Sequence, residues 1–267
     1  MIDITSSQNR IVKEVRSLKN RRDREEKGLF FIEGVRMLEE ALAAGAETEY
    51  AVMAEAFGQG PAGLDMRERL EAAGVKCHTV PSSLFDTLGD TKTPQGVLAV
   101  LRIKASDIME ACFTGGLFVI LDGVRDPGNM GTIIRTADAA GFAGVIAAGG
   151  CVDLYNPKVL RSTMGSLFHI PVYFYEDTAG VIGLLKSKGV RVAASSLSGG
   201  CSIYRADLTA PAALIVGSEA EGISRETAAA ADILVKIPMP GRAESLNASV
   251  AAGIMIYEAV RQSLAGG

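Results

Sequence analysis

The chain contains no tryptophan, and only 6% of its residues are aromatic. A β-sandwich of aromatic strands is therefore disfavoured, and 30 glycines suit compact α/β packing with many tight turns. There are two histidines, His78 and His169, and four cysteines, Cys77, Cys112, Cys151 and Cys201, with no CxxC pair. Such a set predicts no zinc site. Scattered cysteines in a chain this long fit a reducing cytosol better than a disulfide framework. No apolar stretch reaches the ~18 residues of a membrane span, and the C-terminal one is broken by Glu258 and Arg261. The opening MIDITSSQNRIVKEVRSLKN is polar within a few residues, so no signal peptide is expected. These absences predict a soluble cytoplasmic protein with no membrane partner and no metal.

Chemical signatures are missing as well. No GxGxxG follows a first strand, and there is no GxxxxGK[ST], GxSxG, HExxH or Cys/His/Asn set. A nucleotide-binding oxidoreductase is disfavoured on that ground. Chemistry is left to Arg, Asn, Ser, Glu and backbone groups.

What is present is a long, apolar chain. Its 267 residues, 48% of them apolar, exclude a wholly disordered protein. At about 150 residues per domain they suggest two domains. The net charge is −4, but Asn9–Lys27 holds eight basic and four acidic residues, a net of +4, so the remainder carries −8. An acidic protein with one basic segment can hold a polyanion locally. Ile11, Val15 and Leu18 make an apolar stripe on a predicted helix there. Arg10, Lys13, Arg16, Arg24 and Lys27 fall on its other side, either as a solvated face or as a phosphate-contacting one.

Short apolar runs then alternate with helical patterns, which predicts a small α/β domain over 1–104. Lys104–Gly116 ends in Gly-Gly, so 105–116 reads as a linker. Alternation restarts with the near-continuous apolar run LFVIL at Leu117–Leu121, as a buried parallel strand requires. About six parallel strands with intervening helices are predicted over 117–267. The last helix, Leu246–Leu264, has one apolar stripe (Leu246, Val250, Ile254, Tyr257, Val260, Leu264). Ala251, Ala252 and Met255 make a second. Two such sides suit packing on both the sheet and a partner, and equally a doubly buried helix.

Three loops follow strand ends, where open α/β sheets bind ligands. Asp122–Asp138 carries Gly128, Asn129, Gly131 and Arg135. Gly217–Gly222 is GSEAEG. Ile237–Asn247 is IPMPGRAESLN, where two prolines and a glycine forbid regular structure and Ser245 and Asn247 lie near a helix start.

Together these loops resemble the three signature motifs of the SpoU/TrmH family of RNA 2′-O-ribose methyltransferases. The segments are DPGNMGTIIRTADAAGF (126–142), IVGSEAEGIS (215–224) and IPMPGRAESLNASVAAGI (237–254). The N-terminal ITSSQNRIVKEV, FFIEGVRMLEEAL and TKTPQGVLAV are similar to the family's small L30e-like RNA-binding domain. Nearly the whole chain is thus covered.

The resemblance implies a SPOUT-type α/β domain with a C-terminal trefoil knot over 117–267, and a homodimer. It implies S-adenosylmethionine held bent by loops at Gly217, Ile237 and Leu246, with Ser218, Met239 and Gly241, largely through main-chain contacts. Arg135 becomes the key arginine. A guanidinium rarely gives up its proton, so it is read as a positioner of phosphate and hydroxyl. Asn129 would hold the ribose or that arginine, and Glu219 would orient Arg135 or Asn129. Ser245 and Asn247 would contact the reacting nucleotide. Lys13, Arg16, Arg24 and Arg161 are the candidate RNA contacts. The substrate implied is RNA, with 23S-type rRNA favoured over tRNA. The alternatives are a tRNA methyltransferase or a catalytically silent RNA-binding protein of the same fold.

Overall fold

The computed structural model describes residues 2–104, 106–197 and 200–265. Ala105, the first residue of the expected linker, and Gly266 and Gly267, the last of the expected second domain, lie outside them. The chain forms two compact units, Met1–Lys104 with Asp153–Phe168, and Ala105–Val152 with His169–Gly267.

The first unit runs β1 (Ile2–Asp3), α1 (Arg10–Ser17), α2 (Arg21–Lys27), β2 (Leu29–Glu33), α3 (Val35–Ala43), β3 (Thr48–Ala54), α4 (Glu55–Gly58), α5 (Pro61–Ala72), β4 (Lys76–Val80), α6 (Ser82–Phe85) and β5 (Val97–Arg102). Its sheet order is β1-β4-β3-β5-β2, with β5 antiparallel to both neighbours. Strand periodicity places β5 between two cores. Val97, Ala99 and Leu101 pack with Leu38 and Leu70, and Leu98 and Val100 pack with Val12, Val15 and Leu18.

The basic segment differs from the single helix expected of it. Asn9 caps α1, its side chain accepting from the Ile11 N–H at 2.9 Å. The buried stripe is Val12, Val15 and Leu18, with Ile11 only half-buried. The helix stops at Ser17, Asn20 is extended, and α2 starts afresh. Helix ends leave carbonyls without partners. Arg24 turns back and supplies them, Nη1 donating to Leu18 O at 2.7 Å and Lys19 O at 2.9 Å. Its Nη2 pairs with Asp153. Arg24 is 3% exposed, so it is not an RNA contact but a tie that holds the α1–α2 turn. Asp153 is 129 residues away in sequence, out of reach of any local pattern.

The second unit opens before β6 (Leu117–Asp122). The expected linker is part of it, because Ile108 and Phe113 are buried and Phe113 packs on Phe118 with ring centroids 5.3 Å apart. Then come α7 (Pro127–Ala139), β7 (Gly144–Ala148), α8 (Pro157–Thr163), β8 (Val172–Phe174), α9 (Thr178–Ser187), β9 (Arg191–Ser195), β10 (Cys201–Ser202), β11 (Ala212–Gly217), α10 (Arg225–Ala230), β12 (Ile233–Lys236) and α11 (Ala248–Ala265). Helix α8 belongs by packing to the first unit, where Leu160 joins the core and Tyr155 lies 4.7 Å from Phe30.

The second sheet is parallel throughout, in the order β10-β12-β9-β11-β6-β7-β8. It has seven strands where about six were expected. The extra one, β10, is two residues long, too short for periodicity to reveal. The chain steps from β6 to β7 and β8 on one side, then crosses so that β9 and β11 lie on the other. In such sheets the reversal opens a crevice beyond the strand C-termini. Asp122 and Gly217 end β6 and β11 side by side there.

Replacing Arg24 with alanine strands Asp153 and two helix-end carbonyls. Arg24→Ala is expected to lower unfolding free energy by about 3 kcal/mol, read as an earlier urea midpoint. The salt dependence of polyanion binding should stay as in the wild type.

Candidate active site

Helix α7 begins at Pro127. Asp126 caps it, Oδ1 accepting from the Asn129 N–H at 2.8 Å, and Pro127 occupies the first helical position. Asp-Pro is a cap-and-start signature legible in the sequence. The cap fixes Asn129 in the first turn, where it is 6% exposed.

A buried amide must satisfy both its donor and its acceptor. Asn129 Nδ2 donates to Glu219 Oε1 at 2.8 Å, and its Oδ1 accepts from Asn247 Nδ2 at 2.9 Å. Three loops far apart in sequence are joined through this one side chain. Glu219 also accepts from the N–H groups of Arg125 at 3.3 Å and Asp126 at 3.2 Å. Burial opposes its ionisation, but the Asn129 amide and these backbone donors outweigh burial and hold its carboxyl below the usual range. Asn247 Oδ1 in turn accepts from Ser249 N at 2.9 Å and Val250 N at 3.3 Å, so it caps α11. The last helix therefore starts at Ala248, not Leu246.

The loop after β11 closes on itself. Ser218 N donates to Gly222 O and Gly222 N to Ser218 O, both at 3.0 Å. A Cβ on Gly217 would lie 2.2 Å from Gly222 C and 2.4 Å from Ile223 N. Glycine is required there by the loop's own backbone.

Pro238–Leu246 follows β12 without regular structure. Among the described residues, none of its backbone groups pairs with another backbone group. Ser245 and Gly241 are exposed, Ile237 and Met239 half-buried, and Leu246 is 37% exposed. Unpaired main-chain donors and acceptors, with small and flexible apolar side chains beside them, are a donor set that fits an adenosine. Ser245 is not drawn into the Asn129 network.

Arg135 lies on the exposed side of α7 and, among the described residues, has no hydrogen bond or ion pair. Glu219 thus orients Asn129 and not Arg135. Of the other basic candidates, Lys13 is exposed. Arg16 Nη2 donates to Thr87 Oγ1 at 2.6 Å. Arg161 pairs with Asp90 at 2.9 Å and remains 35% exposed. Beside it, Thr163 is buried and donates to Leu160 O. Lys27, already on the basic side in the sequence, and Lys19, not singled out there, join this surface: Lys19 Nζ reaches Thr87 O at 3.4 Å and Lys27 Nζ reaches Ser17 Oγ at 2.6 Å. Arg16, Lys19 and Lys27 contact neutral oxygens, and their charges are not matched by a carboxylate among the described residues.

Among the described residues no group of three or more His, Cys, Asp or Glu side chains could hold a metal ion. Nor is any described helix long and apolar enough to cross a membrane.

Residues 116–257 match the SpoU rRNA Methylase family, and residues 9–99 match an MRM3-like substrate binding domain. The chain is 35% identical to 23S rRNA (guanosine(2553)-2′-O)-methyltransferase RlmP of Bacillus subtilis (strain 168), over 96% of this chain and 98% of that protein. It is 33% identical to 23S rRNA (uridine(2479)-2′-O)-methyltransferase of Streptomyces viridochromogenes, over 98% and 93%. Among solved structures, an AdoMet-bound rRNA methyltransferase from Sinorhizobium meliloti superposes with a TM-score of 0.88 at 35% identity, covering 97% of each chain.

The Glu219 carboxyl gives a pH test. Its folded pKa is depressed, so its stabilisation is present above the unfolded value and lost as pH falls through the folded one. Wild type should melt above Glu219→Gln at neutral pH, and the gap should narrow below about pH 4. A gap that persists unchanged into strong acid would contradict the assignment.

Proposed function

This chain belongs to the SpoU rRNA Methylase family, and we propose that it transfers a methyl group from S-adenosylmethionine to a ribose 2′-hydroxyl in RNA, with 23S-type rRNA as substrate. The observation that carries this reading is the buried Asn129, which ties Glu219 and Asn247 into one network beside the unpaired main chain of Pro238–Leu246. The two relatives differ in the base their names give, so the proposal extends to the ribose and not to the base.

S-adenosylmethionine supplies an electrophilic methyl on a sulfonium. This chain's part is to align oxygen, carbon and sulfur and to manage the hydroxyl proton. Main-chain groups at Gly217, Ser218, Ile237, Met239, Gly241 and Leu246 hold the donor. Glu219 and Asn129 keep the first and second loops in register, and Asn247 does the same for the third. Ser245 contacts the reacting nucleotide. Arg135, without a partner among the described residues, grips a phosphate and steadies the developing alkoxide through its planar fork.

The N-terminal unit holds RNA. Lys13, Arg16, Lys19 and Lys27 carry this role, Arg24 having dropped out and Arg161 contributing its exposed third. The unit boundary is proposed at 104/105, with 153–168 on the RNA-binding side. The C-terminal segment is the trefoil passage of the family: the chain leaves β12, which lies beyond β9, and α11 comes back to pack on α7 and β11. The protein works in the cytoplasm as a homodimer. In support of the dimer, α11 buries Ala252, Met255, Ile256 and Ala259 while its other side exposes Val250, Tyr257 and Leu264.

Arg135→Ala should cut methyl transfer to rRNA by at least about 100-fold, the scale of losing one electrostatic stabiliser. S-adenosylhomocysteine affinity, read by calorimetry, should be nearly unchanged. Arg135→Lys should also be poor, since an ammonium cannot make a two-pronged contact. Near-normal turnover in the alanine variant would remove Arg135 from the mechanism.

RNA binding is tested separately. The quadruple change of Lys13, Arg16, Lys19 and Lys27 to alanine should flatten the salt dependence by roughly 0.7–0.9 in log–log slope per lost phosphate contact. Coincident slopes for variant and wild type would place RNA elsewhere.

A further inference from the structure

Asp122 is not among the residues assigned to the donor or to RNA, yet its carboxylate gathers three hydrogen bonds. It ends β6, with Gly217 of β11 and Ala148 of β7 as its Cα neighbours. Its Oδ1 accepts from Thr178 Oγ1 at 2.6 Å, and its Oδ2 accepts from Thr227 Oγ1 at 2.9 Å and Ser224 N at 3.4 Å. Thr178 is 5% exposed and Thr227 1%. Among the described residues no cation pairs with this carboxylate, so neutral donors alone support it. Space is kept for it as well: a Cβ on Gly149, which has φ +62°, would lie 2.8 Å from Asp122 Oδ1 and 3.0 Å from Thr178 Oγ1.

The loop Ser218–Ser224 is therefore anchored at both ends. One end is the glycine at Gly217, pressed against Gly222. The other is Ser224, whose N–H reaches Asp122 and whose Oγ donates to Thr227 Oγ1 at 3.0 Å. Between the anchors stands Glu219, which holds Asn129. We infer that Asp122 is a positioning residue: acting through Ser224 and Thr227, it sets where the donor-binding loop stands and hence the affinity for the methyl donor. The inference rests on the assignment of that loop to S-adenosylmethionine.

Charge-assisted hydrogen bonds are directional, and a loop freed at one end must be ordered again on binding. Thr227→Val removes one donor at nearly constant volume. The test measures S-adenosylhomocysteine binding by calorimetry for wild type, Thr227→Val, Thr227→Ser and Asp122→Asn, with urea unfolding and RNA affinity alongside. Thr227→Val is expected to weaken binding about tenfold, as loss of one bond to a charged group implies. RNA affinity should hold, and Thr227→Ser should restore the wild-type value. Asp122→Asn should weaken binding similarly, and hydrogen exchange at Ser218 and Gly222 should speed up in both weak variants. A purely structural role predicts lower stability with wild-type affinity in Thr227→Val, and that result overturns the inference. Failure of the wild-type chain to bind would overturn the donor assignment and this inference with it.

Discussion

The site depends on one buried amide. Asn129 must donate and accept at once, because a carboxylate stands on one side of it and another amide on the other. No other small side chain does both with this reach. Aspartate in its place would set two carboxylates together, and leucine would remove one of the donors that hold Glu219 and the acceptor of the Asn247 amide. The same amide links the starts of two helices: Asn129 lies in the first turn of α7, and Asn247 caps α11. Helix α11 packs against α7. The bond between their caps thus fixes the ends of helices whose bodies are already held by apolar contact.

Why the three loops meet is a matter of sheet topology. In β6 and β11 the registers run in step from Ala212 opposite Leu117 to Gly217 opposite Asp122. Both chains therefore leave the sheet at the same level. Gly217 and Gly222 allow one loop to fold tightly, and Asp126 with Pro127 turns the other sharply into a helix. The crevice is thus built from strand order, one close backbone approach and two helix caps. Side chains that do chemistry can be few because the backbone does most of the placing.

Local signals were legible in the sequence wherever the cause was local. Apolar runs such as Leu117–Leu121 marked the buried strands, and the alternation marked two α/β units. Asn247 was recognisable as a polar group near a helix start, and the structure makes it the cap. What was not legible depended on distant partners. Arg24 looked like a member of a basic face, and only Asp153 and two freed carbonyls make it internal. Residues 153–168 read as part of the second unit, yet Leu160 is buried in the first. Asp122 had no sequence signal beyond its place at a strand end, since its three donors come from Thr178, Ser224 and Thr227.

Arg135 and Asn129 share a helix but lead opposite lives. Asn129 is buried and saturated with hydrogen bonds, whereas Arg135 is exposed and has none among the described residues. An arginine in an apolar stretch of helix is expected to find a carboxylate, and this unit is rich in them. Among the described residues none meets it. The acidic groups nearby in function are already committed, Glu219 to Asn129 and Asp122 to Thr178 and Thr227. A guanidinium kept clear of internal anions retains its full attraction for an external one, and a phosphodiester offers the two oxygens its fork requires. The amide and backbone donors that hold Glu219 in its charged form thus also leave Arg135 without an internal partner among the described residues.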